Sequence, residues 1–219
     1  MLIEFILSVT YTLIFSQQGD NNTVCMKGRV ACEMGSHELM ITELVFHNLL
    51  TDRPPEEIVA LLSCMVFQQR NCSEPELTDS LKEAVGRIKK CAEDIGQAQK
   101  ECGMEQTVQD YVEQVESFHV FNLDFDPQII NLISRSQFNF GLTEVAYEWA
   151  RGMPFAEITQ LTDVQEGIIV RTIQRLDETL RDVKDAARVI GDPMLYQKMD
   201  QASTIIKRDI VFAASLYTQ

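Results

Sequence analysis

The amino-acid sequence predicts an all-α fold, a bundle of about seven helices. Two observations support this fold class. Apolar residues recur at steps of three and four in most segments after residue 36, which is the period of an amphipathic helix. Proline, glycine and capping residues separate these periodic segments. The longest seam lies near the C-terminal end of the chain, and its members are Ile169, Ile173, Leu176, Leu180, Val183, Ala187 and Ile190.

The first 26 residues differ in character from the rest. Residues 1–16 are hydrophobic, but the early charge is Glu4 and no A-x-A follows, whereas a secretory signal has a positive start and a small-residue cleavage site. The run is also shorter than the ~20 apolar residues that a membrane span needs. We expect residues 1–26 to be a leader outside the domain, as a buried strand or helix or a non-native extension. Residues 27–219 are then the domain, with no membrane partner.

Two helices are predicted at the start of the domain. Ser36 is a suitable N-cap for a helix that continues to about Leu50. After a turn, Pro55 stands near the first position of the next helix, where its missing N–H leaves no hydrogen bond unmade. We expect this second helix to end near Gln69.

A long helix is predicted from about Leu77 to Gly103, with either Ser73 or Thr78 at its start. It carries the densest basic cluster of the chain. Charge on one side of a long helix is more often a solvated surface than a binding site, so a role with nucleic acid or an acidic partner is the minor interpretation. The cluster consists of Lys82, Arg87, Lys89, Lys90 and Lys100.

The middle of the chain changes character after a short amphipathic helix predicted at residues 106–117. Residues 118–137 alternate aromatic and polar side chains and contain a proline. We predict an irregular insertion in the domain there. Apolar side chains in it would be adhesive if they were exposed.

The helices that follow are marked by clear breaks. A helix from Leu142 to Ala150 stops at Gly152, because glycine readily adopts the left-handed conformation after a helix end. A short helix is predicted at residues 155–161. Trp149, the single tryptophan, lies one turn after Val145 on the inner side, which favours a core position over base stacking.

Thr162 is the predicted N-cap of the next helix, with Gln165 as its capping-box partner. This helix carries the long seam and ends at Gly191. A turn at residues 192–193 leads to a last helix, predicted from Met194 to Tyr217.

The charge balance limits the function of the chain. Nineteen lysines and arginines against 33 aspartates and glutamates give a net charge of −14. Autonomous, non-specific binding to nucleic acid needs a surplus of cations, so this balance opposes it. Any RNA contact should be a local patch or depend on a more basic partner.

The six cysteines form no C-x-x-C pair and have no metal-ligand spacing. Reduced thiols in an intracellular protein are the simplest interpretation. The three histidines are scattered along the chain, and no serine or cysteine nucleophile motif is present. The sequence therefore predicts no catalytic and no metal-binding residues.

Several long blocks occur in the order found in one helicase family. They include GRVACEM, PPEEIVALLSC, YEWARGMPF, IVRTIQRLDE and IKRDIVFAASLYTQ, within about residues 27–116 and 138–219. These blocks resemble the C-terminal helical (DSHCT) domain of superkiller-type DExH-box RNA helicases. The ending SLYTQ is more similar to the cytoplasmic superkiller helicases than to their nuclear exosome-associated relatives.

The resemblance implies an RNA-guiding domain of a 3′-to-5′ helicase in cytoplasmic, exosome-mediated mRNA decay. It implies four partners: the motor domains, single-stranded RNA, superkiller complex subunits and the cytoplasmic exosome. The chain contains no G-x-x-x-x-G-K-[ST] phosphate loop and no D-E-x-H box. We therefore expect no cofactor here, and ATP and Mg²⁺ only in the motor domains.

Five residues are candidates for RNA contact. Arg171 and Arg175 stand one helical turn apart and off the apolar seam, so two guanidinium groups can face one surface. The resemblance adds that helices of this domain line the RNA channel and that Arg175 falls in the family's R-L-x-E segment. It also places the end of the second helix, Gln68, Gln69 and Arg70, near the RNA path. The competing interpretation is surface ion pairs for the arginines and an ordinary exposed helix end for the others.

Two other functions remain open from the sequence. The segment FAEITQLTDVQEGIIVRTIQRL superficially resembles a helix-turn-helix that binds nucleic acid. The acidic Asp163 and Glu166 at the start of its second helix oppose that function. The other alternative is a free-standing protein-interaction module, which would form stable complexes without RNA.

Overall fold

A computed structural model describes residues 26–69, 72–101 and 138–212. All regular structure in these ranges is helical, which confirms the all-α fold class. The elements are α1 (Met26–Cys32), α2 (Glu38–Phe46), α3 (Pro55–Val66), α4 (Asp79–Glu101), a 3-10 turn (Phe140–Leu142), α5 (Thr143–Ala150), α6 (Phe155–Ile158), α7 (Glu166–Ile190), α8 (Pro193–Ile206) and a second 3-10 turn (Asp209–Val211).

Helix α3 is the centre of the core. Its residues from Glu57 to Val66 are all buried, and it packs against α4, α5, α7 and α8. Proline at its first position and two glutamates in its first turn confirm the predicted start. The helix ends at Val66, three residues before the predicted end at Gln69.

Helices α7 and α8 form an antiparallel hairpin. The two helices run in opposite directions: Asp177 contacts Ser203, and Lys184, later in α7, contacts Asp200, earlier in α8. The predicted seam of α7 is buried as far as Ala187. The helix ends as predicted, with Gly191 at φ 81° and its N–H donating to the Ala187 carbonyl at 2.9 Å.

Two other predictions on helix boundaries are confirmed. Helix α4 begins after Thr78, whose hydroxyl accepts from the Leu81 N–H at 3.3 Å, while Ser73 has another partner. Gly152 has φ 103° after the end of α5. Trp149 is fully buried, so it belongs to the core as predicted.

The predicted N-cap at Ser36 is wrong. His37 occupies the cap position of α2 in the left-handed conformation, with φ 51°. The turn before the helix is set by a distant residue, because the Gly35 N–H donates to the Asp182 carboxylate at 3.0 Å. The helix also ends at Phe46 rather than near Leu50, since Asn48 is left-handed as well, with φ 55°.

The predicted N-cap at Thr162 is also wrong. Gln165 occupies the cap position of α7, and the Thr162 hydroxyl accepts from the Val164 N–H in a local turn. The neighbouring Asp163 accepts hydrogen bonds from the N–H and the hydroxyl of Ser73, at 2.9 and 3.3 Å. This contact holds the residues before Gln165 outside the helix. In addition, α6 is a single turn that ends at Ile158 rather than Leu161.

The last helix is shorter than predicted, because α8 ends at Ile206 and not at Tyr217. Lys207 donates to Ser203 and pairs with the buried Asp177, and Arg208 donates to two backbone carbonyls outside its helix. These contacts turn the chain away from the helix axis. Residues 207–212, called the 207–212 segment below, then cross to α7.

The predictions for residues 1–25, 106–117 and 118–137 lie outside the described residues. Among the helices of the described ranges, none combines the length and the apolar character needed to span a membrane.

Candidate functional site

Arg171 and Arg175 lie on the exposed side of α7. The other side of this 25-residue helix is buried against α3 and α8, so the backbone that carries the two arginines is held by the core. Both side chains are exposed, and their i, i+4 spacing directs them to one surface. The structure therefore brings these two candidates together.

Neither guanidinium group has an ion-pair or hydrogen-bond partner among the described residues. The surface ion pairs expected as the competing interpretation would be with Glu166, Asp177 or Glu178, which lie nearby in the sequence. Asp177 is buried and engaged elsewhere, and in the described part of the chain Glu166 and Glu178 form no ion pair with either arginine. Within the described part of the chain, the donors of both guanidinium groups are therefore not engaged.

Gln174 lies on the same side of α7, three residues after Arg171 and directly before Arg175. Its amide N–H donates to the Val211 carbonyl at 2.7 Å. Val211 is buried, so the 207–212 segment is anchored to α7 beside the two arginines. The sequence does not predict this contact, because nothing marks a glutamine on the polar side of a helix as the donor to a backbone carbonyl 37 residues later.

Asp177 forms the buried polar junction of the α7–α8 hairpin. The side chain is fully buried and accepts from the Ser203 hydroxyl at 2.5 Å, from Lys207 at 3.0 Å and from Arg181. Burial alone would raise its pKa, but hydrogen bonds from Ser203, Arg181 and Lys207 outweigh burial and lower the pKa below its usual value. The carboxylate therefore stays ionised and holds two cations at the surface.

Arg208 anchors the other end of the 207–212 segment. Its guanidinium lies 3.6 Å from the centroid of the Trp149 ring and donates to the carbonyls of Trp149 and Met153, at 2.7 and 2.6 Å. The Trp149 carbonyl lies in the last turn of α5, where carbonyls lack partners within the helix, and the Met153 carbonyl lies in the connection to α6. The available sequence signal for this contact was the basic pair Lys207–Arg208, which interrupts the apolar pattern of the predicted last helix.

The second candidate group lies at the end of α3. Gln68 is exposed, and Gln69 is half-buried with its side-chain oxygen shielded from solvent and without a donor among the described residues. The Gln69 carbonyl accepts from the Asn139 amide. Arg70 lies outside the described residues. Of this group, Gln68 is the side chain that the structure presents to solvent.

The end of α3 is fixed by residues distant in sequence. The Asn139 N–H donates to the Cys64 carbonyl at 3.1 Å, and His37 forms a hydrogen bond with the Met65 backbone. Burial lowers the pKa of His37, and the Met65 hydrogen bond opposes that shift only in part, so this ring is neutral near pH 7. The His37 ring also packs against Phe138, at 5.8 Å between centroids.

The two candidate groups are connected through the loops beside them. Ser73 follows α3, Asp163 precedes α7, and the Ser73–Asp163 hydrogen bonds link these loops. The Ser73 N–H bond is the main reason why the pKa of Asp163 lies below its usual value. These bonds join Ser73 to the residues directly before α7.

A metal centre is not indicated by the described residues, which contain no group of three or more His, Cys, Asp or Glu side chains in an arrangement that could hold an ion. The cysteines described, Cys32, Cys64, Cys72 and Cys91, are free thiols. The chemistry available at the candidate site is therefore that of guanidinium and amide donors, which bind phosphates and base edges.

Comparison with known proteins gives one family. The family model described as the DSHCT (NUC185) domain matches residues 21–213. Superkiller complex protein 2 of Mus musculus is 47% identical over 197 residues, which cover 90% of this chain and 14% of that protein. The DExH-box ATP-dependent RNA helicase DExH11 of Arabidopsis thaliana is 48% identical over 199 residues, 90% of this chain and 13% of that protein.

A second group of relatives is more distant. Exosome RNA helicase MTR4 of Homo sapiens is 39% identical over 198 residues, 90% of this chain and 17% of that protein. The chain therefore spans less than a fifth of the length of these curated relatives. The order of the matching blocks, the all-α fold and the family match agree, and the chain belongs to the DSHCT family, the domain that it shares with these superkiller and MTR4 RNA helicases.

Proposed function

We propose that this chain is the RNA-guiding accessory domain of an ATP-dependent RNA helicase, with Arg175 and Arg171 as its main contacts to single-stranded RNA. The observation that carries the proposal is the pair of exposed guanidinium groups, one turn apart and without partners among the described residues. Arginine binds phosphates bidentately and stacks on bases, and a core-bound helix holds both groups in place. Gln68 is a secondary contact.

The charge of the chain supports an accessory role. With a net charge of −14, the chain lacks the cation surplus that autonomous RNA binding needs. Arg171 and Arg175, which have no ion-pair partner among the described residues, place two positive charges side by side on an acidic protein. Such a pair of charges adds contacts to RNA that the motor domains already hold.

The names of the relatives support the helicase context. DExH11 is named as an ATP-dependent RNA helicase, whereas this chain contains neither a phosphate loop nor a D-E-x-H box. We infer that ATP and Mg²⁺ bind only to motor domains, which are the first partner of this domain. For the helicase that contains this domain, the proposed function is 3′-to-5′ unwinding of RNA.

The biological setting follows from the more similar relatives. Identity is 47% to mouse Superkiller complex protein 2 and 39% to human Exosome RNA helicase MTR4. This difference supports superkiller complex subunits and the cytoplasmic exosome as partners, mRNA decay as the process and the cytoplasm as the location.

The helix-turn-helix alternative has less support. Its first helix would be α6, which is a single turn of four residues. Its second helix, α7, carries Glu166 in the first turn, the part of a recognition helix that enters the major groove of the negatively charged duplex. A helix of 25 residues with one side buried along its length is better suited to a structural and RNA-lining role.

The test is an unwinding assay in a helicase that carries this chain at the position of its own DSHCT domain. Arg175→Ala is expected to weaken RNA binding about tenfold and to lower processivity, because it removes one charged contact. Arg188→Ala is the matched control. Arg188 is also exposed on α7, but it pairs with Asp185 at 2.7 Å and stacks on Tyr196.

Equal RNA affinity and processivity in Arg175→Ala and the unchanged helicase would contradict the proposal. If stable complexes with superkiller subunits then formed without RNA, the domain would be a protein-interaction module instead.

A further inference from the structure

The loop between α3 and α4 presents an exposed serine followed by acidic residues. Residues 72–78 have no regular secondary structure, and Ser73 lies exposed near the start of this loop. Glu74 and Glu76 follow it at the first and third positions, both exposed and without an ion pair in the described part of the chain. Protein kinases bind their target residue in irregular surface segments, and the charges around that residue decide which kinase accepts it.

The same loop is tied to distant parts of the chain by two carboxylates. Asp163 accepts from the Ser73 N–H at 2.9 Å and from the Ser73 hydroxyl at 3.3 Å. The Glu76 N–H donates to the Glu144 carboxylate, in the first turn of α5, at 2.7 Å. Among the described residues, no lysine or arginine pairs with either carboxylate. The loop is therefore held by negative charges that no cation offsets.

A phosphoryl group on Ser73 would stand directly against one of these charges. Phosphoserine carries about −1.5 to −2 charges at pH 7, and it can no longer donate the hydroxyl hydrogen bond. The oxygen that would carry the group lies 3.3 Å from a carboxylate oxygen of Asp163. Because the Ser73 N–H lowers the pKa of Asp163, this carboxylate is ionised at neutral pH. Two like charges would then meet where a hydrogen bond now holds the loop.

We propose that Ser73 is a phosphorylation site for an acidophilic serine/threonine protein kinase, and that its phosphorylation breaks the link to Asp163. ATP supplies the phosphoryl group. The Ser73 Oγ forms a bond to the γ-phosphorus, the bond from that phosphorus to the bridging oxygen of ADP breaks, and the hydroxyl proton passes to a base of the kinase. Repulsion between phosphate and carboxylate then separates the Ser73 N–H from Asp163. The proposal does not depend on RNA contact at Arg175.

Thr78 in the same loop is the natural comparison. It is exposed as well, but its hydroxyl accepts from the Leu81 N–H at 3.3 Å at the start of α4. Asp79 is the single acidic residue among the three that follow Thr78. An acidophilic kinase should therefore modify Ser73 in preference to Thr78.

The first experiment treats the helicase that carries this chain with casein kinase II and ATP, and locates phosphate in the 72–78 loop by mass spectrometry. Phosphate is expected on Ser73 and is lost in Ser73→Ala. Changing Glu74 and Glu76 together to glutamine should lower the rate at Ser73 several-fold, because it removes the charges that the kinase binds. Asp79→Asn is the matched control. It removes one exposed carboxylate of the same region, six residues after Ser73, and should leave the rate unchanged.

The second experiment measures amide hydrogen exchange of residues 72–78 before and after phosphorylation, with overlapping peptides. Exchange at the Ser73 amide should become about tenfold faster, the effect of losing one hydrogen bond to a charged group. Ser73→Ala should stay within about twofold of the unmodified protein, because it keeps the 2.9 Å N–H bond. In Asp163→Asn, phosphorylation should change exchange by less than about twofold, since the repelled charge is absent.

Three outcomes would overturn the proposal or one of its parts. Absence of phosphate on Ser73, while a model peptide is modified by the same kinase, would overturn the site. Arg70, three residues before Ser73, is the feature that a calmodulin-dependent kinase selects. Modification by that kinase and not by casein kinase II would overturn the kinase class. Phosphorylated protein with unchanged exchange at residues 72–78 would overturn the release of Asp163.

Discussion

The guanidinium group of Arg208 lies 3.6 Å from the centroid of the Trp149 ring. Each of the two side chains also donates a hydrogen bond to a backbone carbonyl. Arg208 donates to the Trp149 carbonyl at 2.7 Å, and the Trp149 indole N–H donates to the Ile206 carbonyl at 3.0 Å. The pair closes the C-terminal ends of α5 and α8 against one another. It therefore connects the end of the hairpin to the rest of the bundle.

Arg208→Ala should lower the free energy of unfolding by about 3 kcal/mol. The change leaves two carbonyls without a charged donor and removes a partly buried cation–π contact. Urea unfolding followed by circular dichroism measures the effect. Arg188→Ala, at an exposed ion pair, should change stability by less than about 1 kcal/mol. Equal losses of stability in the two variants would show that the contacts of Arg208 contribute no more than an exposed ion pair.

Trp149 is the single tryptophan and is fully buried, so its fluorescence reports the packing of α5. We predict emission shifted to the blue of free tryptophan and resistant to quenching by iodide. Addition of single-stranded RNA should leave the spectrum unchanged, because a core indole cannot stack on a base. Strong quenching by RNA in the folded protein would place Trp149 at the RNA surface and contradict the core assignment.

Asp177→Asn should lower stability at pH 7 by about 2 kcal/mol, because it leaves Lys207 and Arg181 without their shared carboxylate. The figure lies below the ~3–5 kcal/mol typical of breaking a fully buried pair, since both cations reach solvent. The pKa of Asp177 is lowered in the folded state by its hydrogen bonds, against the effect of burial. The stabilisation is therefore present above the unfolded pKa, about 4, and is lost as pH falls through the lower folded pKa.

The measurement is the free energy of unfolding of both proteins between pH 7 and pH 2. The difference between them should be constant down to about pH 4 and shrink below that value. A difference that stays constant to pH 2 would show that Asp177 does not titrate as the network requires.

Two glycines should respond to alanine with opposite signs. Gly86 lies in the middle of α4 with nothing within 4 Å of an added Cβ, so Gly86→Ala should stabilise the protein by about 0.5–1 kcal/mol. Gly191 has φ 81°, so Gly191→Ala should destabilise it by about 1 kcal/mol. Thermal unfolding of both variants tests this, and a stabilising Gly191→Ala would contradict the left-handed C-terminal cap.

Local signals in the sequence were sufficient for the long elements. The seam of α7, Pro55 at the start of α3 and Gly191 after α7 each act within a few residues, and the structure agrees with all three. The position of the candidate arginines, Arg171 and Arg175, is also predicted by local signals. Their placement on one exposed side follows from helix periodicity alone.

The wrong predictions are explained by contacts between residues that lie far apart in the sequence. Thr162 does not cap α7 because its neighbour Asp163 bonds Ser73, 90 residues earlier in the chain. The last helix breaks at Ile206 because Lys207 and Arg208 find partners on α7 and α5. Likewise, the Gln174 contact needs the chain to return after that break. The basic pair Lys207–Arg208 marks the break in the last helix, but no local pattern identifies the distant partners in these tertiary contacts.

The salt dependence of RNA affinity is a direct test of RNA contact at Arg175. In the helicase that carries this chain, log affinity for single-stranded RNA falls linearly with log salt, by about 0.7 for each phosphate neutralised. If Arg175 contacts a phosphate, Arg175→Ala will have a slope smaller by about 0.7 and a lower affinity, and Arg188→Ala will change neither. Identical slopes and affinities in all three proteins would contradict RNA contact at Arg175.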